Sequence, residues 1–203
     1  GKYVITNHHV IDGASKVAVG NAISGVTNAT VVAVSIDFDL AILELEKPFK
    51  KEYAIETDDF AIPKPGEDVI SIGYPGVGYT YDQPTITQGI VSKVFDDNFG
   101  RFLTTVRINP GNSGGPLFNQ SGEVIGITQA SLDPQLATES IGALPQNVNY
   151  AIKSSYIKKL FPMLPETLVS NRGIVVVPTE PENTLANFIE KAKKNIVLIE
   201  AKE

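Results

Sequence analysis

The apolar residues of this chain come only in short runs, separated by Gly, Pro, Asn and Asp, and no other feature limits the fold as much. Such runs are too brief for packed helices and suit strands closed by turns. The pattern predicts strands over 3–6, 16–19, 30–35, 40–45, 68–73, 85–95, 102–105, 116–118, 124–130 and 148–152. Many short strands with turn signals between them indicate an all-β barrel or sandwich. One helix is expected over 154–164, with Tyr156, Ile157, Leu160, Phe161 and Leu164 on one side. Ser154 or Ser155 would cap it and Pro162 would end or bend it.

One turn region carries chemistry. Pro110-Gly111-Asn112-Ser113-Gly114-Gly115-Pro116-Leu117 sets a single serine among glycines. A glycine two residues before a serine lets the N–H groups of Gly111 and Ser113 converge on one point beside a nucleophile, with Asn112 between them. A Gly-Ser turn alone is usually only a turn, so the reading depends on a base and an acid elsewhere. Both stand upstream. Thr6-Asn7-His8-His9-Val10 holds the only two histidines, and Asp39 opens the run Asp39-Leu40-Ala41-Ile42-Leu43. A serine hydroxyl is a poor nucleophile at neutral pH, so an imidazole must take its proton and a carboxylate must orient the ring. The order His, Asp, Ser is that of chymotrypsin-type enzymes.

These three segments resemble the T-N-x-H-V, D-[IL]-A-[IVL]-[IVL] and nucleophile-loop motifs of trypsin-like serine peptidases of the HtrA/Deg type. The resemblance runs over about residues 1–164. In those motifs the catalytic histidine directly precedes the apolar residue, which selects His9 over His8. The catalytic aspartate directly precedes the apolar-Ala-apolar run, which selects Asp39 over Asp37 and makes Asp37 a solvated loop residue. The resemblance implies the chymotrypsin fold: two six-stranded Greek-key barrels, about 1–55 and 66–153, meeting near 48–65, with a C-terminal helix on the second. The site would lie in the cleft between them. It implies a serine endopeptidase with His9, Asp39 and Ser113 as triad, Gly111, Asn112 and Ser113 around the oxyanion, and no metal or organic cofactor.

The same resemblance places the substrate pocket at Ile108 and Asn109 before the nucleophile, at Ile127, Thr128 and Gln129, and near Tyr150. No Asp occupies the approach to Ser113, which argues against a preference for Arg or Lys. Ile108 suggests small or medium aliphatic residues, with Arg107 facing the surface. Residues 74–79 form a Gly-rich loop expected near the cleft. Partners are polypeptide substrates. Two other functions compete. A glutamyl endopeptidase sharing the fold fits less well, because that group tends to carry a histidine where Thr128-Gln129 stands. A non-catalytic protein-binding module, a holdase or scaffold, would follow if the first barrel were incomplete.

Composition narrows the classes further. The chain has 203 residues, 42% of them hydrophobic, enough for one large or two small cores. Its net charge of −6, with only short basic clusters at Lys158-Lys159 and Lys191–Lys194, argues against nucleic acid as a partner. The absence of cysteine excludes disulfides and thiolate chemistry. No run is long enough to insert in a membrane. The family resemblance implies an extracytoplasmic setting, whether periplasmic, secreted or organellar.

The ends depart from the family pattern. Its peptidase domain opens with a helix, a strand and a second strand bearing G-S-G-x-G, ahead of T-N-x-H-V; here Gly1 runs directly into a strand. The tail instead reads as a helix over 183–194 and a strand over 195–200, resembling that opening, after a linker over 165–182. Three arrangements stay open: a tail strand completing the first barrel, within one chain or by exchange in a homo-oligomer; the start of a second peptidase domain; or an unrelated extension. Arg172-Gly173-Ile174-Val175-Val176-Val177 resembles the first strand of a PDZ module, but the stretch is too short for one and lacks the G-L-x-x-G-D-x-I signature.

Overall fold

The computed structural model describes residues 1–51, 54–55, 60–74, 84–95, 100–109, 111–129, 149–164 and 185–202. The segments 75–79, most of the Gly-rich loop, and 165–184 lie outside them. Strands dominate, as the short apolar runs require. The first unit contains β1 (Tyr3–Thr6), β2 (Lys16–Asn21), β3 (Gly25–Ser35) and β4 (Leu40–Leu45). The second contains β5 (Asp68–Gly73), β6 (Thr85–Val94), β7 (Arg101–Thr104), β8 (Pro116–Asn119), β9 (Val124–Gln129) and β10 (Asn149–Lys153). A helix, α1 (Leu185–Ala192), and β11 (Leu198–Lys202) end the described chain.

The second unit is a closed barrel in the order β10-β7-β6-β5-β8-β9. Val69, Val91, Phe102, Val106, Ile108, Leu117, Ile125 and Ala151 fill it. The first unit is a five-stranded antiparallel sheet, β1-β4-β3-β2-β11, not a closed barrel among the described residues. The tail strand does join it. β11 runs antiparallel along β2, from Leu198 opposite Gly20 to Lys202 opposite Lys16. It lies at the opposite edge from β1, so the tail extends the sheet without closing it. Val4 of β1 and Ile199 of β11 nevertheless pack on one core of Ile11, Val17, Val19, Ala41, Leu43 and Leu45.

β4 explains how the two units meet. It lies between β1 and β3, and alternate side chains of a strand face opposite ways. Ala41, Leu43 and Leu45 enter the core of the first sheet. Leu40 and Ile42 face the other way, onto Ile127 and Ile152 of the barrel and onto Ile157 and Leu160. A strand buried on both faces reads as an unbroken apolar run, as Leu40-Ala41-Ile42-Leu43 does. Asp39, one residue before it, is thereby delivered to the seam.

The helix expected over 154–164 is a 3₁₀ helix, Ser154–Met163. Its buried residues are Ser154, Ile157 and Leu160, a spacing of three that matches three residues per turn. Neither serine caps it. Lys153 occupies the cap position without a side-chain bond, and Ser154 Oγ donates to the Ala61 carbonyl at 3.2 Å. Strand bounds differ from expectation mainly at β3, which begins at Gly25. Gly25 to Ala29 pair with Asn21 to Val17 in a hairpin whose polar residues hid it from an apolar count.

Candidate active site

His9 sits in a 3₁₀ turn, His8–Val10, directly after β1. Two bonds tie it to Asp39. Its backbone N–H donates to Asp39 Oδ1 at 2.9 Å, and its ring Nδ1 lies 2.7 Å from Asp39 Oδ2. A carboxylate only accepts, so Nδ1 carries the hydrogen and the other ring nitrogen, Nε2, is left as the acceptor in the neutral ring. The imidazole is partly exposed, at 36%, while the Asp39 side chain is 12% exposed. The alternatives stand elsewhere. Asp37 is exposed, and His8 Nε2 is 3.8 Å from Asp12 Oδ1.

Asp39 is held on all sides. Its φ is 51°, in the left-handed region that few non-glycine residues enter. Its N–H donates to Ile36 O at 3.0 Å, and its carbonyl accepts from Asn7 Nδ2 at 2.9 Å. Gln129 Nε2 donates to Oδ2 at 2.7 Å from across the seam. Burial pushes the carboxyl pKa up, but the bonds and charge of His9 and the bond from Gln129 outweigh it and hold Asp39 below the ordinary carboxylate value.

The Ser113 loop is built from backbone bonds. Asn112 N donates to Asn109 O at 3.0 Å, and Gly115 N to Asn112 O at 3.1 Å. Thr128 on β9 grips the same loop. Gly114 N donates to its carbonyl and its own N–H donates to Gly115 O, each at 2.9 Å. The Thr128 hydroxyl reaches the carbonyls of Asn112 and Gly115. Gly111 has φ 97° and Gly114 φ 82°, conformations that disfavour any side chain. A Cβ on Gly114 would overlap Thr6 Oγ1 and stand 2.9 Å from Asn7 N. The loop therefore seats against Thr6 and Asn7, two to three residues before His9, and carries the half-buried Ser113 there.

The remaining predicted residues divide. Asn112 is buried, and its N–H is already engaged by Asn109, so it shapes the loop rather than facing an oxyanion. Ile108 belongs to the barrel core and Ile127 to the packing between units. Thr128 and Gln129 turn to the Ser113 loop and to Asp39, as described. Asn109 and Arg107 are exposed, and Tyr150 is half-buried opposite Gln129 and Leu103. Asn7 stands in the histidine motif with nothing in the sequence to mark its bond to the Asp39 carbonyl. Its burial at 0% is the signal the sequence lacked.

Comparison with known proteins identifies the family. The trypsin-like peptidase domain family matches residues 1–127. The chain is 35% identical over 210 residues to the serine protease Do-like HtrB of Bacillus subtilis (strain 168), covering 98% of this chain and 45% of that protein. It is 34% identical over 196 residues to the periplasmic serine endoprotease DegP of Salmonella typhimurium, covering 93% of this chain and 38% of that protein. The crystal structure of the serine endoprotease from Yersinia pestis superposes with a TM-score of 0.60 at 29% identity, covering 79% of this chain and 53% of that one. The chain thus spans less than half the length of these two curated relatives. With a closed six-stranded barrel beside a β-sheet and a His–Asp pair at their seam, this chain belongs to the trypsin-like peptidase family, among its HtrA/Deg members.

Proposed function

We propose that the chain is a serine endopeptidase that cleaves polypeptides through an acyl-enzyme, with Ser113, His9 and Asp39 as its triad. The 2.7 Å contact between His9 Nδ1 and Asp39 Oδ2 carries this reading, because it leaves Nε2 as the base. Ser113 Oγ adds to the scissile carbonyl as its proton passes to His9 Nε2. The oxyanion is stabilised by the N–H groups of Gly111 and Ser113. The imidazolium then protonates the departing amine, and the C–N bond breaks. Water, deprotonated by the same nitrogen, releases the acid and returns the proton to Ser113.

The pocket takes small or medium aliphatic residues. Residues 107–109 contain no acid that would draw a cationic side chain, and the exposed Arg107 points to solvent. Relatives named as periplasmic endoproteases support an extracytoplasmic setting. Among the described residues, no helix is long and apolar enough to cross a membrane.

A serine-reactive fluorophosphonate tests the assignment. Covalent labelling at Ser113, lost in Ser113→Ala and strongly slowed in His9→Ala, is the expected result. A folded wild-type protein that takes no label would remove the enzyme reading.

A further inference from the structure

Two donors converge on one oxygen of Asp39. His9 Nδ1 and Gln129 Nε2 both stand 2.7 Å from Oδ2, while Oδ1 receives the His9 backbone N–H at 2.9 Å. The donors come from different units: His9 follows β1 of the first sheet, and Gln129 ends β9 of the closed barrel. Gln129 is itself nearly buried, at 8% exposure. Since a carboxylate accepts only, the amide must present its nitrogen.

The position of Gln129 on its strand adds meaning. Its neighbour Thr128 holds the Ser113 loop by four bonds, one through its N–H, one through its carbonyl and two through its hydroxyl. Successive side chains of a strand point to opposite faces. A single dipeptide, Thr128-Gln129, therefore holds the nucleophile loop with one side chain and the His9–Asp39 pair with the next. Pairing of β9 with β10, Gln129 opposite Tyr150 and Thr128 opposite Ala151, fixes that dipeptide in the barrel.

We infer that Gln129 is a positioning residue of the catalytic apparatus, locking the Asp39 carboxylate to the barrel that carries Ser113, rather than part of the substrate pocket. The inference rests on the endopeptidase reading for its catalytic consequence but not for its geometry. By occupying Oδ2 together with His9, the amide restricts rotation of the carboxylate. It also draws charge from the oxygen that faces the imidazole. Both effects vanish when the donor is removed, and neither involves contact with substrate.

The test uses Gln129→Met, close in length but without a donor, and Gln129→Glu, close in shape but a carboxylate when ionised. In protein labelled with carbon-13 at aspartate carboxyls, the Asp39 signal is identified by its loss in Asp39→Asn. Its titration midpoint should rise by about one pH unit in Gln129→Met, because one charge-stabilising donor is gone. It should rise further in Gln129→Glu, where a second negative charge stands beside it. Fluorophosphonate labelling should show a maximal inactivation rate lowered about tenfold, the order expected for losing one hydrogen bond to a charged group. The concentration giving half that rate should not change. An Asp39 midpoint unchanged in both variants overturns the inference. So does a variant that alters only the half-saturating concentration, the result expected of a pocket residue. If Gln129→Met does not fold, the Gln129→Glu titration decides. A wild-type protein that takes no label would defeat the endopeptidase reading alone, since the carboxyl titration needs no activity.

Discussion

The side-chain amide of Asn7 donates to the backbone carbonyl of Asp39 at 2.9 Å, and Asp39 is the single described non-glycine residue with a left-handed φ, 51°. An L-residue held there costs about 1–3 kcal/mol and persists only where its surroundings impose it. Asn7 is fully buried at the end of β1, so it can act as a rigid clamp on that backbone. Asn7→Ala should destabilise the fold by about 1–3 kcal/mol, the range for losing a buried bond and leaving its acceptor unpaired. The fluorophosphonate labelling rate should fall as well, because Asp39 then loses its alignment with His9. Urea melts and labelling rates measure the two effects separately. A destabilised variant that labels at the wild-type rate would show that the clamp serves stability alone.

Asp39→Asn isolates the charge of the carboxylate from its backbone, since asparagine is among the few residues that tolerate a positive φ. Two consequences differ in kind. The labelling rate should fall by roughly four orders of magnitude, because the ring loses the partner that fixes its tautomer. The stability effect depends on pH. The folded pKa of Asp39 lies below its unfolded value of ~3.9. The ionised carboxylate therefore contributes stability above that value, and the contribution is lost as pH falls through the folded pKa. The stability gap between wild type and Asp39→Asn should be largest above about pH 5 and should shrink in stronger acid. Urea midpoints measured from pH 7 down to pH 3 supply the comparison; a gap that widens in acid would contradict the sign.

Gly114→Ala tests the seat of the Ser113 loop. The added Cβ would overlap Thr6 Oγ1 and stand 2.9 Å from Asn7 N, and the backbone φ of 82° disfavours any side chain. Loss of more than ~1 kcal/mol is expected from the conformation alone. Labelling at Ser113 should fall more than stability does, because the displaced loop is the part that carries the serine. Adding Thr6→Ala should restore only part of the loss, since the backbone nitrogen of Asn7 remains in the way. Full recovery in the double variant would place the whole effect on the hydroxyl.

Much of this was readable from residue order, and the limits have physical causes. β1, β4 and β5 fall where their apolar runs predict, because each is buried and bounded by turn residues. His9 and Asp39, which the resemblance to the family motifs selects over His8 and Asp37, are side chains that the fold brings together, 2.7 Å apart. The place of Gln129 was not legible. A polar residue at the end of a strand looks the same whether it faces a pocket or a carboxylate, and its partner lies 90 positions away. Ile108 and Ile127 illustrate the converse: apolar residues beside a predicted pocket can as well fill the core. Five strands in the first sheet, and the edge on which the tail strand settles, depend on pairings that no local pattern encodes.

The tail is predicted to hold the two units together. Phe188 of α1 meets Phe118 of β8 edge-on, with ring centroids 5.2 Å apart. Ala192, Ile196 and Leu198 join Ile70, Ile72, Phe118 and Val124 in one buried cluster on the barrel. A few residues on, β11 pairs with β2 of the other sheet, and Asn21 Nδ2 donates to the Ile196 carbonyl at 2.9 Å. One short segment thus contacts the unit bearing Ser113 and the unit bearing His9 and Asp39. Truncating the half-buried Phe188 to alanine should cost about 2–3 kcal/mol, below the range for a fully buried phenylalanine. Its signature should appear at a distance. Amide hydrogen exchange should quicken in β2, which Phe188 does not belong to, because loosening α1 weakens the β11 pairing. Faster exchange confined to the barrel, with β2 protected as before, would show that α1 and β11 dock independently and that the tail does not couple the units.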